Sequence, residues 1–162
     1  MASRICYKYP QKLFLELADL IHPVGFKNTK AKNIIKVGKI CDEQYGGDIP
    51  DTIETLVALP GIGPKMGYLA LQCAFGKNDG IGVDVHMHRI LQRLKWTKKP
   101  KNPEETRMQL ESWLPEELWS EINWLLVGFG QTICSAKNPK CTDCLNAKIC
   151  PKDFSAEKNK KK

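Results

Sequence analysis

Residues 59–66 read Leu59-Pro60-Gly61-Ile62-Gly63-Pro64-Lys65-Met66. The octet describes a tight, glycine-built turn that opens straight into a helix. Gly61 and Gly63 are able to take backbone angles barred to other residues and leave room for a ligand to come close. Pro64 suits the first helical position, where its missing N–H has no partner to lose. The amides of the turn and of the helix N-terminus then point outward together, a ready seat for a phosphate. Lys65 sits beside that seat and carries a potential nucleophile.

Outward from the octet the signals are helical nearly throughout. Leu13, Phe14, Leu17, Leu20 and Ile21 make one stripe, and Ala31, Ile34, Ile35, Gly38, Cys41 and Tyr45 make another, which Gly46-Gly47 stops. Asp51 or Thr52 starts a short helix running to Leu59; beyond the turn a second helix runs to about Phe75. A glycine-containing connection over 76–82 leads to Asp84 and a helix with Val85, Ile90, Leu91 and Leu94 on its inner face. Pro103 begins a helix ending near Trp113, and Leu118, Ile122, Leu125, Leu126 and Phe129 mark the last long one. No strand alternation stands out, so the expected fold class is all-α.

Composition bounds the partner. The 162 residues hold 25 Lys and Arg against 18 Asp and Glu, a formal charge of +7. That favours a polyanion, nucleic acid ahead of an anionic membrane surface, over an ordinary basic surface. No apolar run approaches the ~18 residues of a membrane span, and none near Met1 resembles a secretory signal. The expectation is an intracellular chain, where disulfides are rare.

Seven cysteines therefore need another account. Cys6, Cys41 and Cys73 are scattered and are best taken as small buried apolar side chains. Cys134, Cys141, Cys144 and Cys150 instead form a C-x6-C-x2-C-x5-C ladder. Four neighbouring thiolates want a soft metal, and spacing alone leaves iron–sulfur, zinc and no ligation open. The loop between the first two presents Lys137 and Lys140, as phosphate contacts or as a merely solvated face.

Three features now stand in order: the LPGIGPKMG hairpin, Gly82-Val83-Asp84-Val85-His86-Met87-His88-Arg89, and the cysteine ladder. Together they closely resemble the endonuclease III family of helix-hairpin-helix, iron–sulfur DNA glycosylase/AP lyases, eukaryotic-like branch, over about Leu13 to Pro151. The resemblance implies a helix-hairpin-helix DNA glycosylase fold, with a partial helical barrel lobe over 1–80 and a [4Fe–4S] cluster lobe over 81–153; the lysine-rich composition beyond it suggests a disordered basic tail over 154–162. It makes Lys65 the nucleophile, Asp84 the catalytic carboxylate, and Cys134, Cys141, Cys144 and Cys150 the cluster ligands. Gly61, Gly63, Lys137 and Lys140 become DNA contacts. Phe26 falls where relatives place an apolar wedge in the DNA stack, its alternative being a core aromatic.

The activity so implied is base excision repair of oxidised pyrimidines. The lysine amine attacks C1′, the base leaves, a Schiff base forms and β-elimination cuts the strand on the 3′ side. Partners would be double-stranded DNA with an oxidised pyrimidine or abasic site, with no membrane, in a monomer working in the nucleus or the mitochondrion. Attack needs a neutral amine, yet at an ordinary pKa of about 10.4 only about one in a thousand is neutral near pH 7.4. A partly buried Lys65 at a positive helix end is therefore expected. A carboxylate beside it works the other way, so Asp84 is expected to cap the following helix, to meet the sugar once DNA is bound, or both. His86 and His88 are expected to pack or cap rather than catalyse.

Relatives carry further helices before the segment matching Leu13, and nothing in residues 1–10 resembles them. The expectation is an incomplete helical barrel lobe with unpaired apolar surface, reduced stability and weak base excision. Three other readings stand beside this one: a non-catalytic DNA-binding truncated isoform, an adenine-excising relative (a branch that generally lacks the lysine), and a zinc-bound structural domain.

Overall fold

The computed structural model describes residues 10–155; Cys6, residues 1–9 and the tail residues 156–162 lie outside them. Every regular element among the described residues is helical. In chain order they are α1 (Pro10–Leu20), α2 (Lys27–Gln44), α3 (Ile53–Val57), α4 (Pro64–Phe75), α5 (Val85–Arg93), α6 (Pro103–Glu111), a 3-10 turn (Glu116–Leu118) and α7 (Trp119–Thr132). No helix is long and apolar enough to cross a membrane. The chain divides between Gly63 and Pro64 into two compact units, a different cut from the one expected after residue 80.

In the first unit α1 packs on α2, burying Ala18, Ala31 and Cys41. The α2 helix stops as expected: Gly46 and Gly47 both take positive φ, and the Tyr45 and Gly47 amides return to the Cys41 carbonyl. Leu15, Leu20 and Ile34 remain exposed, so part of both apolar stripes is uncovered in this unit. Thr52, not Asp51, caps α3, accepting from the Thr55 amide at 3.4 Å.

The second unit is built on Ile81, Val83, Met87, Ile90, Leu91, Leu110, Leu114 and Leu126. Here α5 lies against α7 and α6. Asn102 caps α6 through the Glu105 amide at 2.9 Å, ahead of Pro103 at N1 and two acidic residues in the first turn. Fully buried Ile90, Leu91 and Leu110 carry the packing; truncating one to alanine removes about 2–5 kcal/mol.

Several expectations are corrected here. Val85 is exposed, because the buried face of α5 runs through Met87, Ile90, Leu91 and Leu94, and Val85 lies about 160° away on a 3.6-residue turn. On α7 the buried positions are Asn123, Leu126 and Gly130, which turns Leu125 outward. Leu118, just before α7, is also exposed. Cys73 is exposed on α4, whereas Cys41 is buried as expected. Phe154, counted in the expected tail, is placed: its ring centroid lies 4.8 Å from the Arg93 guanidinium carbon.

Candidate active site

The turn after α3 is closed by the Ile62 amide donating to the Leu59 carbonyl at 3.1 Å. Gly61 has φ +82°, and a Cβ there would meet the Asn33 side chain at 2.4 Å. The positive φ demands glycine, and the Asn33 side chain would have to move to admit a Cβ. Gly63 differs from expectation: its φ is not positive, and a Cβ would meet nothing within 4 Å. Its value is open space, not conformational freedom. Pro64 begins α4 as expected, and Lys65 is the second residue of that helix.

Asp84 connects α4 to α5. It is extended, buried to 8% exposure, and caps α5 by accepting the Met87 amide on Oδ1 at 2.8 Å. Its other oxygen, Oδ2, lies 3.7 Å from Lys65 Nζ. One carboxylate therefore caps a helix and holds the lysine, so the cap and the pairing coexist before any substrate arrives. The Lys65 side chain is 46% exposed, less sheltered than expected, at the positive end of α4 and oriented by a fixed anion.

Two residues to which sequence reasoning gave no role of their own set this pair. A Cβ on Gly82 would lie 3.0 Å from both the Lys65 carbonyl oxygen and Leu69 Cγ, so any side chain here would push the 80–84 segment off the first turn of α4 by a few tenths of an ångström. Asn123, 4% exposed in the middle of apolar α7, donates to the Gly82 carbonyl at 2.6 Å. Its signal was a polar residue on a helix face otherwise buried. Gly82→Ala is expected to displace the Asp84 segment and to lower stability by about 1–3 kcal/mol, which thermal melting checks.

His88 Nδ1 lies 2.6 Å from the Thr106 hydroxyl, and His86 Nδ1 lies 3.3 Å from an Arg89 guanidinium nitrogen. Arginine only donates, so His86 Nδ1 accepts there. Both histidines pack, as expected.

Beyond α7 the chain runs through turns carrying the four cysteines. None is in a disulfide, and all four line one cavity with Arg93, Phe129, Ile133 and Phe154, with about 450 Å³ of non-atom space that includes open solvent. Arg93 is 2% exposed and donates to the carbonyls of Cys134 (3.3 Å), Ser135 (2.8 Å) and Ala136 (3.3 Å) and to Cys134 Sγ (3.1 Å). Arg89 adds bonds to the carbonyls of Gly130 at 3.2 Å and Cys134 at 2.7 Å. Lys137 and Lys140 are exposed. Among the described residues no three His, Cys, Asp or Glu side chains converge to hold a single metal ion.

In the first unit, Phe26 is 86% exposed at φ 59° where α2 begins, so it is not a core aromatic.

Residues 13–116 match the model of the HhH-GPD superfamily base excision DNA repair protein family. Endonuclease III-like protein 1 of Gallus gallus is 57% identical over 136 residues, 83% of this chain and 48% of that protein. The endonuclease III homolog of Schizosaccharomyces pombe is 48% identical over 157 residues, 95% of this chain and 44% of that one. The chain thus spans about half the length of the curated relatives it matches. Among solved structures, a trapped endonuclease III–DNA covalent intermediate, the estranged-adenine complex, superimposes with a TM-score of 0.79 at 29% identity, over 91% of this chain and 67% of that one. A non-covalent endonuclease III–DNA complex gives 0.78 at 28%, over 99% and 76%.

Proposed function

The chain belongs to the HhH-GPD superfamily of base excision DNA repair proteins, and from that premise we propose a bifunctional DNA glycosylase/AP lyase acting on oxidised pyrimidines in duplex DNA. The observation that carries the reading is the pairing of Lys65 Nζ with Asp84 Oδ2 at 3.7 Å, on a lysine left half open to solvent. A buried carboxylate orients the amine, and the open side leaves room for a sugar.

In this reading the Lys65 amine attacks C1′. The C1′–N bond breaks, its electron pair leaves with the base, and the base takes up a proton. The bound amine then gives up one proton while the C1′–O4′ bond breaks and O4′ takes up a proton, leaving a protonated Schiff base. Loss of a C2′ proton then breaks the 3′ C–O bond, and water releases Lys65 from the aldehyde. Attack needs the lone pair, so Asp84 must exchange its hold on the ammonium for the cation developing at the sugar. Asp84 is able to do so because its other oxygen stays fixed in the cap.

Gly61 and Gly63 serve as backbone contacts to DNA phosphates, Lys137 and Lys140 as charged ones, and Phe26 as the wedge filling the gap left by a flipped base. The four cysteines fit a [4Fe–4S] cluster: they are free, they share one cavity, and Arg93 offers a positive charge and a donor to one sulfur. Zinc sites are commonly built from two short Cys pairs, whereas only Cys141 and Cys144 stand that close in this ladder. Bound there, the cluster supplies a covalent anchor for the loop that carries Lys137 and Lys140. The working compartment is the nucleus or the mitochondrion, and the working unit a monomer.

Borohydride reduction in the presence of abasic or oxidised-pyrimidine duplex tests the reading. A covalent protein–DNA species is expected, while binding without capture on either substrate would leave only a DNA-binding module. Asp84→Asn separates Asp84's two roles. Asparagine caps as well as aspartate, so melting should hold within about 1 kcal/mol. Strand cleavage should drop about 10²-fold or more, and unchanged turnover would remove Asp84 from the chemistry.

A further inference from the structure

Helix α6 carries neither member of the Lys65–Asp84 pair, yet it reaches the backbone on which Asp84 stands. Ile81, three residues before Asp84, is fully buried, and its amide donates to Glu111 Oε1 at 2.8 Å. The Val83 amide returns to the Ile81 carbonyl at 2.9 Å, a three-residue turn that passes the position of Ile81 to the residue next to Asp84. The second oxygen of Glu111, Oε2, accepts from Arg107 Nη1 one helical turn earlier. Arg107 also donates through Nε and Nη2 to Glu104 Oε1, so its guanidinium is fixed between two carboxylates. The Arg107 and Glu111 side chains are 17% and 15% exposed.

The same guanidinium meets the other half of the site. Its central carbon lies 5.2 Å from the centre of the Tyr68 ring, within cation–π range. Tyr68 is buried and follows Lys65 by three residues, which makes the two neighbours on the surface of α4. Gly80 is pressed against that ring, where a Cβ would lie 2.4 Å from Tyr68 Cε1. The Gly80 carbonyl also accepts from Gln72 Nε2 of α4 at 3.2 Å. One Arg–Glu pair therefore grips α4 through Tyr68 and the 81–84 segment through Ile81. Lys65 stands on the first of these pieces and Asp84 on the second. A part-buried ion pair adds little stability over apolar side chains of similar size, so what this one supplies is geometry.

We propose that Glu111 and Arg107 are positioning residues for the lyase reaction, holding Lys65 Nζ and Asp84 Oδ2 at their 3.7 Å separation without touching the substrate. This assignment rests on the repair reading above and adds two residues of α6 to it. Glu111 acts through the Ile81 amide, and Arg107 acts by orienting Glu111 and by its seat on Tyr68. The pair bears on the chemical step and not on DNA affinity, because Lys137 and Lys140 stand on the cysteine-bearing loop and not on α6.

The test is single-turnover strand cleavage of abasic duplex by the full chain, cluster loaded and in excess, which gives a saturating rate and a half-saturating protein concentration separately. Glu111→Leu is close in size but leaves the Ile81 amide without its acceptor. Its saturating rate is expected to fall about tenfold or more, with half-saturation within about twofold of the parent. Glu111→Gln keeps an acceptor for Ile81 and should bring the rate back to within about threefold of the parent. Arg107→Lys keeps the charge but loses the planar fork and its seat on the ring, and should lower the rate by about threefold even where the leucine variant does not fold. Hydrogen exchange of the Ile81 and Val83 amides should quicken in Glu111→Leu and match the parent in Glu111→Gln. Parental rates in Glu111→Leu and Arg107→Lys overturn the assignment. Equal losses in leucine and glutamine variants do so too, since the bond to Ile81 would then not be what matters. A loss confined to half-saturation moves the pair to DNA binding and overturns it as well. A parent that cleaves nothing fails the repair reading itself, whereas amide exchange, which needs no DNA, still reports the grip of Glu111 on the segment.

Discussion

Replacing Lys65 by alanine is expected to abolish covalent capture on abasic DNA and to lower strand cleavage by on the order of 10³-fold or more. The change should leave the fold almost untouched. Lys65 is half exposed, and a pair so open to water contributes about 0–1 kcal/mol. Its removal leaves Asp84 still bonded to the Met87 amide. Melting within about 1 kcal/mol of the parent, together with retained duplex affinity, would place the loss in the chemical step. Lys65→Arg sharpens the result: it keeps the charge beside Asp84 and any attraction for phosphate, but a guanidinium does not release a proton at usable pH. Capture that persisted in either variant would sink the Schiff-base reading. Loss of duplex affinity in alanine but not in arginine would return Lys65 to a phosphate contact.

The features legible in the sequence were those written in neighbouring residues. Gly61 sits in a turn and Pro64 and Lys65 in the helix start a few residues on, so each follows from local turn or helix-start chemistry. Asp84 was recognisable as a cap because the apolar period begins just after it. Helix phase was harder. Val85 was counted inward because it is apolar and adjacent to the cap, yet the cap fixes the phase that turns it out. What stayed hidden depends on contacts across long stretches of chain. Asn123 reaches Gly82 from 41 residues away, and Ile81 donates to Glu111 from 30 away. No local pattern forecasts either pairing; only the packing of α7 and α6 on α5 creates them. Gly82 was read as part of a motif, but its physical need, room for the Lys65 carbonyl, appears only once α4 is in place.

Arg93→Met is expected to be the most damaging single change to the cysteine-bearing segment. Methionine fills much of the same space but donates no hydrogen bond. Three carbonyls, those of Cys134, Ser135 and Ala136, would lose the guanidinium donor together, along with the contact to Cys134 Sγ. Each buried group left unmatched costs about 1–3 kcal/mol. Arg89 still reaches the Cys134 carbonyl at 2.7 Å, and water recovers part of the rest, so a net loss of about 3 kcal/mol follows. For a chain of this size that lowers the melting midpoint by about 10 °C. The packing of α5 on α6 and α7 rests on Met87, Ile90, Leu91, Leu110 and Leu126, not on Arg93, so the far-ultraviolet helical signal should persist at low temperature. Iron and sulfide per chain should fall, because the loop that presents Cys134 no longer has its fixed shape. Arg93→Lys should rescue little: one ammonium does not reproduce a planar fork serving three carbonyls and a sulfur. If the lysine variant kept full iron content and melting, Arg93 would act through its charge alone; if methionine did so too, the loop would owe its shape to its own turns.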